Sequence, residues 1–330
     1  MKKILGAISA TLLTTTTLIG STASAEQSQD MNNEKQPELK EDVITYGGNL
    51  NSNQKDEVKE KLGGDDKDKT VDVTLEDVKE FTGVQYDHIY SSSLIEPKSF
   101  GKGVDVEIVT PDNITKITKE QYTNAAISAG IQNAKIRVAS TVEPTTGDGA
   151  LTGIVKAYAK EGTDLSESDA KNANQEMSDL ANISDENKDK EGYSDAAMNN
   201  AVADMKSQVA QEKEDNGNVS EDKVRSIVDD VLKEKGLDGV VSDNQRNTIY
   251  NIVINVSKSN AMNNDPKSFM KQLDKYKGQL EKNHGDLIDK AKDKAKSLNN
   301  EENRNLLQKI VDFIMNILQA IVDFFKNLFN

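Results

Sequence analysis

The chain contains no cysteine and no tryptophan, and only two histidines and five prolines among its 330 residues. Each shortage removes a class of chemistry. Without cysteine there is no thiol nucleophile, no disulfide and no thiolate metal centre. His88 and His284 are too few for a zinc site built on several imidazoles, and they leave almost no material for a His-based catalytic triad. Basic charge is also short, because 56 acidic residues face 41 basic ones for a formal net charge of −15. Such a chain repels nucleic acid at long range, so no nucleic-acid partner is expected. Aromatic residues are scarce and unevenly spread. Of seven phenylalanines, Phe313, Phe324, Phe325 and Phe329 fall at the C-terminal end.

What is present begins with a leader. Met1-Lys2-Lys3 is a charged start, Ile4 to Gly20 an apolar and threonine-rich run, and Ala23-Ser24-Ala25 a small-residue cleavage pattern. Residues 1–25 therefore read as a secretory signal peptide, too short and threonine-rich for a good membrane span, which predicts a secreted, extracellular protein. Residues 26–42 carry no periodicity and few large apolar side chains, and read as a disordered leader.

From residue 43 to 162 the pattern is α+β. Val71 to Val73, Val104 to Val109 and Ile136 to Val138 alternate apolar with polar residues, the mark of strands with one buried face, and His88 to Ile95 gives a weaker strand. The spacing predicts a small antiparallel or mixed sheet. Thr74 with Asp77, and Thr118 with Gln121, form capping boxes that open helices, the second closed by Gly130. Residues 163–194 are charged and asparagine-rich and read as a linker with one weak helix around Ala170 to Leu180. Residues 195–300 then show amphipathic helices with clear ends. Met198, Val202, Met205 and Val209 repeat at four and three, Ser220 and Ser242 cap the next two, and Asp265-Pro266 opens another. Short loops between such helices predict an antiparallel bundle. Leu287 to Leu298 adds a weaker, lysine-rich helix.

The last stretch, residues 301–330, stands apart. Polar residues at Asn305, Lys309, Asp312, Asn316, Gln319, Asp323, Lys326 and Asn330 draw one narrow stripe along a helix. The rest of its circumference is apolar: Leu306, Leu307, Ile310, Phe313, Ile314, Ile317, Leu318, Ile321, Phe324, Phe325, Leu328 and Phe329. As a span it would bury Asp312, Asn316, Gln319 and Asp323 in hydrocarbon, where a central Asp costs about 2.5–3.5 kcal/mol. Lying in the interface keeps the stripe wet. These twelve side chains are the expected contacts with a membrane surface or envelope component. Burial of this helix in the bundle, or between copies in a self-associating scaffold, is the alternative.

Several motifs bear on chemistry. Thr145 to Gly153 (TTGDGALTG) could offer backbone amides to a phosphate, but it lacks the lysine of a P-loop and misses the dinucleotide spacing. A turn with Asp148 or Thr146 as N-cap, and with Gly153 allowing close helix packing, fits better. Asp66 to Thr70 starts like a calcium loop and then lacks its glycine and its glutamate. Asp87-His88 and Ser91-Ser92-Ser93 have no supporting partners in the sequence. Carboxylates are abundant, so an acid pair acting on envelope polymers stays open as a second alternative. No catalytic, cofactor-binding or metal residue is assigned, and an enzyme is not the favoured reading.

Tyr46-Gly47-Gly48-Asn49-Leu50 with Gln54, Lys119-Glu120-Gln121-Tyr122, Ala129-Gly130-Ile131 with Ala134, and Ala150-Leu151-Thr152-Gly153-Ile154 occur in that order. In order and spacing the chain resembles the YpuA-like secreted proteins of Gram-positive bacteria, the family of domain of unknown function 1002. The likeness runs from Tyr46 to about Tyr158 and on through the helices to Leu280. It implies a secreted, envelope-associated protein and carries over no functional residues.

Overall fold

The computed structural model describes residues 37–99, 101–160 and 165–298. In chain order the elements are β1 (Val43–Gly47), α1 (Ser52–Leu62), β2 (Lys69–Val73), α2 (Leu75–Thr82), β3 (Ser92–Pro97), β4 (Val104–Ile108), α3 (Lys119–Ser128) and β5 (Ala134–Ala139). They continue with α4 (Asp148–Lys160), α5 (Glu167–Asn187), α6 (Asp195–Asn216), α7 (Glu221–Glu234), α8 (Asp243–Ser257), α9 (Asn260–Asn264) and α10 (Pro266–Leu298). The fold is α+β, a five-stranded sheet followed by a helical region. The stretch read as a signal peptide, most of the one read as a leader, and the twelve residues from Leu306 to Phe329 expected as contacts lie outside the described residues.

The sheet is mixed, in the order β2-β1-β3-β5-β4. β1 runs parallel to β2 and β4 parallel to β5, while β3 pairs antiparallel with both of its neighbours. Three strands fall where alternation placed them. β3 does not: it starts at Ser92, later than expected, because the buried Ser92 and Ser93 sit inside the strand and Asp87 and His88 stay exposed outside it. β1 has all five residues buried, so it shows no alternation to read.

Successive side chains point to opposite faces of the sheet. Ile44, Tyr46, Leu94 and Ala139 meet Val58 and Leu62 of α1 on one face. On the other, Val43, Val71, Ile95, Val104, Ile136 and Val138 join a larger core with α3 and α4. That core continues through Met177 and Leu180 of α5, Met198 and Val202 of α6, Val224 and Val228 of α7, Ile249 and Val253 of α8, and Phe269 and Leu273 of α10. Close approach at the sheet needs missing side chains. A Cβ on Gly153 of α4 would stand 2.4 Å from the Thr45 hydroxyl, so only glycine lets this helix seat on β1.

The helix ends follow the local chemistry. Thr74, Thr118 and Ser242 close reciprocal capping boxes with Asp77, Gln121 and Gln245. Gly130 takes φ +93° behind α3, and the Asp265 carboxylate accepts from the Ser268 N–H at the start of α10.

Three segments differ from the sequence expectation. Leu39, in the stretch read as leader, is buried in the main core, and Lys69 N–H donates to the Asp42 carbonyl. The weak helix expected around Ala170 to Leu180, in the stretch read as a linker, is the longer 21-residue α5. Its buried face mixes Met177, Leu180 and Ile183 with Ala170, Ala173, Asn174, Glu176 and Ala181, so small and polar residues interrupt the apolar stripe. The separate helix expected over Leu287 to Leu298 is the end of α10, continuous with its first part except at His284 (φ −137°, ψ 23°). His284-Gly285 there offers poor helix formers, the usual setting for a break. Among the described residues no helix is long and apolar enough to cross a membrane.

Candidate functional site

The break in α10 faces the open edge of the sheet. β4 is an edge strand, covered on its inner face by α3. Where β4, the first turns of α3 and the second half of α10 meet lies a cleft of about 150 Å³, lined by Asp105, Lys119, Glu120, Thr123, Tyr276, Gln279, Asn283 and His284. A cavity of about that volume holds one six-membered ring. A wider, more apolar hollow of about 490 Å³ continues along the same edge past Ile108, Pro111, Ile114 and Ile117. The two share Val106 and Lys119, so they form one groove along β4.

Glu120 is the centre of the polar part. It is only 8% exposed, held in the first turn of α3 by the capping box one residue away. Its carboxylate lies 3.4 Å from His284 Nε2 and 3.7 Å from Lys119 Nζ. The Tyr276 hydroxyl donates to the Glu120 carbonyl at 2.9 Å and fixes α10 against α3. Burial, with the nearby Glu120 and Glu176 charges, drives the Tyr276 phenol well above its ordinary value, so it stays a neutral donor. His284 Nε2 is shielded from solvent and makes no hydrogen bond, although the Glu120 carboxylate lies 3.4 Å away.

Asp105 enters from β4. Burial alone would raise its carboxyl, but Lys98 at 2.5 Å and Gln279 at 3.1 Å outweigh burial and hold it below the usual carboxylate range. The cleft thus gathers two carboxylates, an imidazole, an ammonium and two carboxamides. That set suits recognition of a polar group that both donates and accepts hydrogen bonds.

The loops and residues considered for chemistry in the sequence lie elsewhere. In the Thr145–Gly153 loop the Asp148 carboxylate accepts from the Tyr86 hydroxyl at 2.6 Å and from the Thr146 hydroxyl at 2.7 Å. Tyr122 donates to the Gly147 carbonyl at 2.7 Å. The loop is a packing turn and leaves no room for a phosphate. Ser92 Oγ accepts from the Gly47 N–H, and Ser93 Oγ shares a hydrogen bond with Thr45, so neither is free to act as a nucleophile. Asp66 is tied to Lys59 at 2.5 Å, and His88 lies exposed beside the Tyr90 ring. Among the described residues no three His, Asp or Glu side chains gather as a metal site requires. Sequence reasoning missed the pairing of Glu120 with His284. Glu120 stood inside a quoted motif and His284 was one of two histidines, yet no spacing rule joins residues so far apart.

An α+β body of mixed sheet and stacked helices, with its polar cleft at an open sheet edge, is the class this structure defines. The chain belongs to the family described as protein of unknown function (DUF1002), which matches residues 46–276. It is similar to the uncharacterized protein YpuA of Bacillus subtilis (strain 168), at 32% identity over 283 residues, covering 83% of this chain and 86% of that protein. No solved structure matches. The family match takes in Glu120 and Tyr276 and ends before His284.

Proposed function

We propose that this is an exported, non-enzymatic binding protein, held at the outer face of the cell envelope by its C-terminal amphipathic segment. The observation that carries this reading is the sequence of residues 306–329. Sixteen of these residues are apolar and one polar stripe runs through them. The signal-peptide pattern of residues 1–25 agrees with export. Each large apolar side chain contributes about 1.5–3 kcal/mol on burial, so half of them suffice for stable attachment. Lys309 and Lys326 cancel Asp312 and Asp323, so attachment is hydrophobic and weakly sensitive to salt.

Flotation with phosphatidylcholine and phosphatidylglycerol vesicles, comparing residues 26–330 with a chain ending at Arg304, tests this. The longer chain is expected to float with both lipids at low and high salt, and the shorter one with neither. If neither floats and the shorter chain melts much lower, the tail belongs to the core and the reading fails. If the longer chain does not float but is larger in solution than the shorter one, the tail joins copies instead.

One observation favours a second reading, an enzyme acting on envelope polymers: Asp105 and Glu120 line the same cleft. Against it, Asp105 is pushed down, the opposite of what a general acid needs. Release of soluble fragments from purified wall, lost on Glu120→Gln, is the result that favours the enzyme.

A further inference from the structure

The sheet has two edge strands, β2 and β4, and the molecule treats them differently. Along a strand, alternate residues turn their N–H and C=O to one neighbour, and the residues between turn theirs to the other side. At β2, Lys69 N–H donates to the Asp42 carbonyl and the Val73 carbonyl accepts from Gly48 N–H, so Thr70 and Asp72 face outward. Lysines of α4 take both of their carbonyls, Lys156 that of Asp72 at 2.9 Å and Lys160 that of Thr70 at 3.5 Å. This edge is closed.

At β4, Val109 N–H donates to the Val138 carbonyl, so the main chain of Asp105 and Glu107 pairs with β5, while Val104, Val106 and Ile108 turn their main-chain groups out. Gln279 of α10 reaches the Asp105 carboxylate and covers the start of the strand. Past it the edge opens into the hollow of about 490 Å³. Among the described residues nothing takes the outward N–H or C=O of Val106 or Ile108. β4 also holds no lysine and no proline, the usual guards of an edge. An unguarded edge beside an apolar hollow is a seat for one more strand.

The two faces of β4 say what that strand must carry. On the inner face Val106 and Ile108 meet Pro111, Ile114 and Ile117, which calls for apolar side chains. The lysines at the rim are engaged, Lys116 by Asn182 at 2.8 Å and Lys119 by Glu120 at 3.7 Å. On the outer face Asp105 and Glu107 are exposed. Asp105 is held by Lys98, but Arg137, the register neighbour of Glu107, is already paired with Glu96 at 3.0 Å. A second copy of β4, antiparallel about Val106, would set Asp105 opposite Glu107, like charge against like, in a chain of net charge −15.

We infer that the open edge of β4 takes up an extended segment of another polypeptide as an added strand, with apolar side chains in the hollow and Lys or Arg opposite Glu107. The inference goes beyond the attachment reading and does not rest on it.

Calorimetric titration of residues 26–330 with eight-residue peptides alternating lysine with valine, or glutamate with valine, tests it. The lysine peptide is expected to saturate and to bind at least tenfold more tightly than the glutamate one. N-methylation of its valines alone or of its lysines alone should abolish binding in one case only, because one set of N–H groups faces β4. Ile108→Pro removes an outward N–H and leaves the pairing with β5, so it should fold and bind at least tenfold more weakly. Glu107→Lys, on the exposed face, should reverse the preference between the two peptides. The inference is overturned if neither peptide saturates, if both bind alike, if folded Ile108→Pro binds like the parent chain, or if Glu107→Lys leaves the preference unchanged. It is also overturned if only a chain ending at Arg304 binds, since the C-terminal segment then fills the edge. A dimer that Ile108→Pro turns into a monomer overturns it too, in favour of a second copy.

Discussion

Two acid–base pairs in this molecule have nearly the same composition and opposite settings. Lys206 on α6 and Glu176 on α5 are 0% and 1% exposed and lie 2.5 Å apart. Every remaining valence is used: Ser128 donates to Glu176 at 2.7 Å, Lys206 reaches Ser128 at 2.9 Å and Asn124 at 3.2 Å, and Asn124 donates to Asn199 at 2.9 Å. Burial pushes the Lys206 amine down while Glu176 pulls it up, and burial wins. The other pair, Glu120 and His284, stands at the mouth of a cleft, 3.4 Å apart, with Nε2 unfilled and the helix broken around it. The closed pair joins three helices, and the second pair leaves His284 Nε2 buried without a hydrogen bond. A satisfied buried pair fixes a fold, whereas an imidazole nitrogen buried without a partner beside a backbone distortion is something that packing alone does not call for.

The comparison can be broken at either end. The largest effect is expected from Lys206→Met or Glu176→Leu alone, which strands one buried charge and should cost about 3–5 kcal/mol by chemical denaturation. Replacing both together should restore much of that loss, because the stranded charge is gone. Next comes Gly153→Val, which forces a side chain into Thr45 and should cost about 1–3 kcal/mol with cleft binding unchanged. Thr118→Ala removes the cap that sets the first turn of α3, and should cost about 1 kcal/mol and loosen Glu120 in the cleft.

A pH titration sharpens the same contrast. Burial raises the Asp204 carboxyl, but Lys277 and Lys235 outweigh burial and hold it below its ordinary value. Its folded pKa is depressed, so its contribution is complete above the unfolded value of about 3.9 and is lost as the pH falls through the folded one. Asp204→Asn should therefore lower stability at pH 7 and flatten the stability profile below about pH 4.

Much of the sheet could be read from alternation. Val71 to Val73, Val104 to Val109 and Ile136 to Val138 each have one wet face, and period two shows there. Val43 to Gly47 is covered on both faces, so the same rule is blind to it. Capping residues marked α2, α3, α7 and α8, because a cap is a local hydrogen bond that needs no tertiary context. α5 showed in the sequence only as a weak helix around Ala170 to Leu180, because alanine and asparagine pack well where another helix lies close and only the partner reveals that. The cleft was unreadable for a related reason. Glu120 is set by its own helix, but its meeting with His284 depends on where α10 lands, and no local pattern encodes that.

The comparison rests on Glu120 and His284 adding little to stability where Glu176 and Lys206 add much. Equilibrium unfolding of Glu120→Gln, His284→Ala and the double variant, beside Glu176→Leu, tests this most directly. His284→Ala puts a better helix former at the break, so it should leave stability unchanged or slightly raised, and Glu120→Gln should cost under about 1 kcal/mol. Glu176→Leu should lose about 3–5 kcal/mol in the same experiment. If Glu120→Gln or His284→Ala destabilises the chain as much as Glu176→Leu does, the second pair is a structural joint like the closed one, and the contrast is gone.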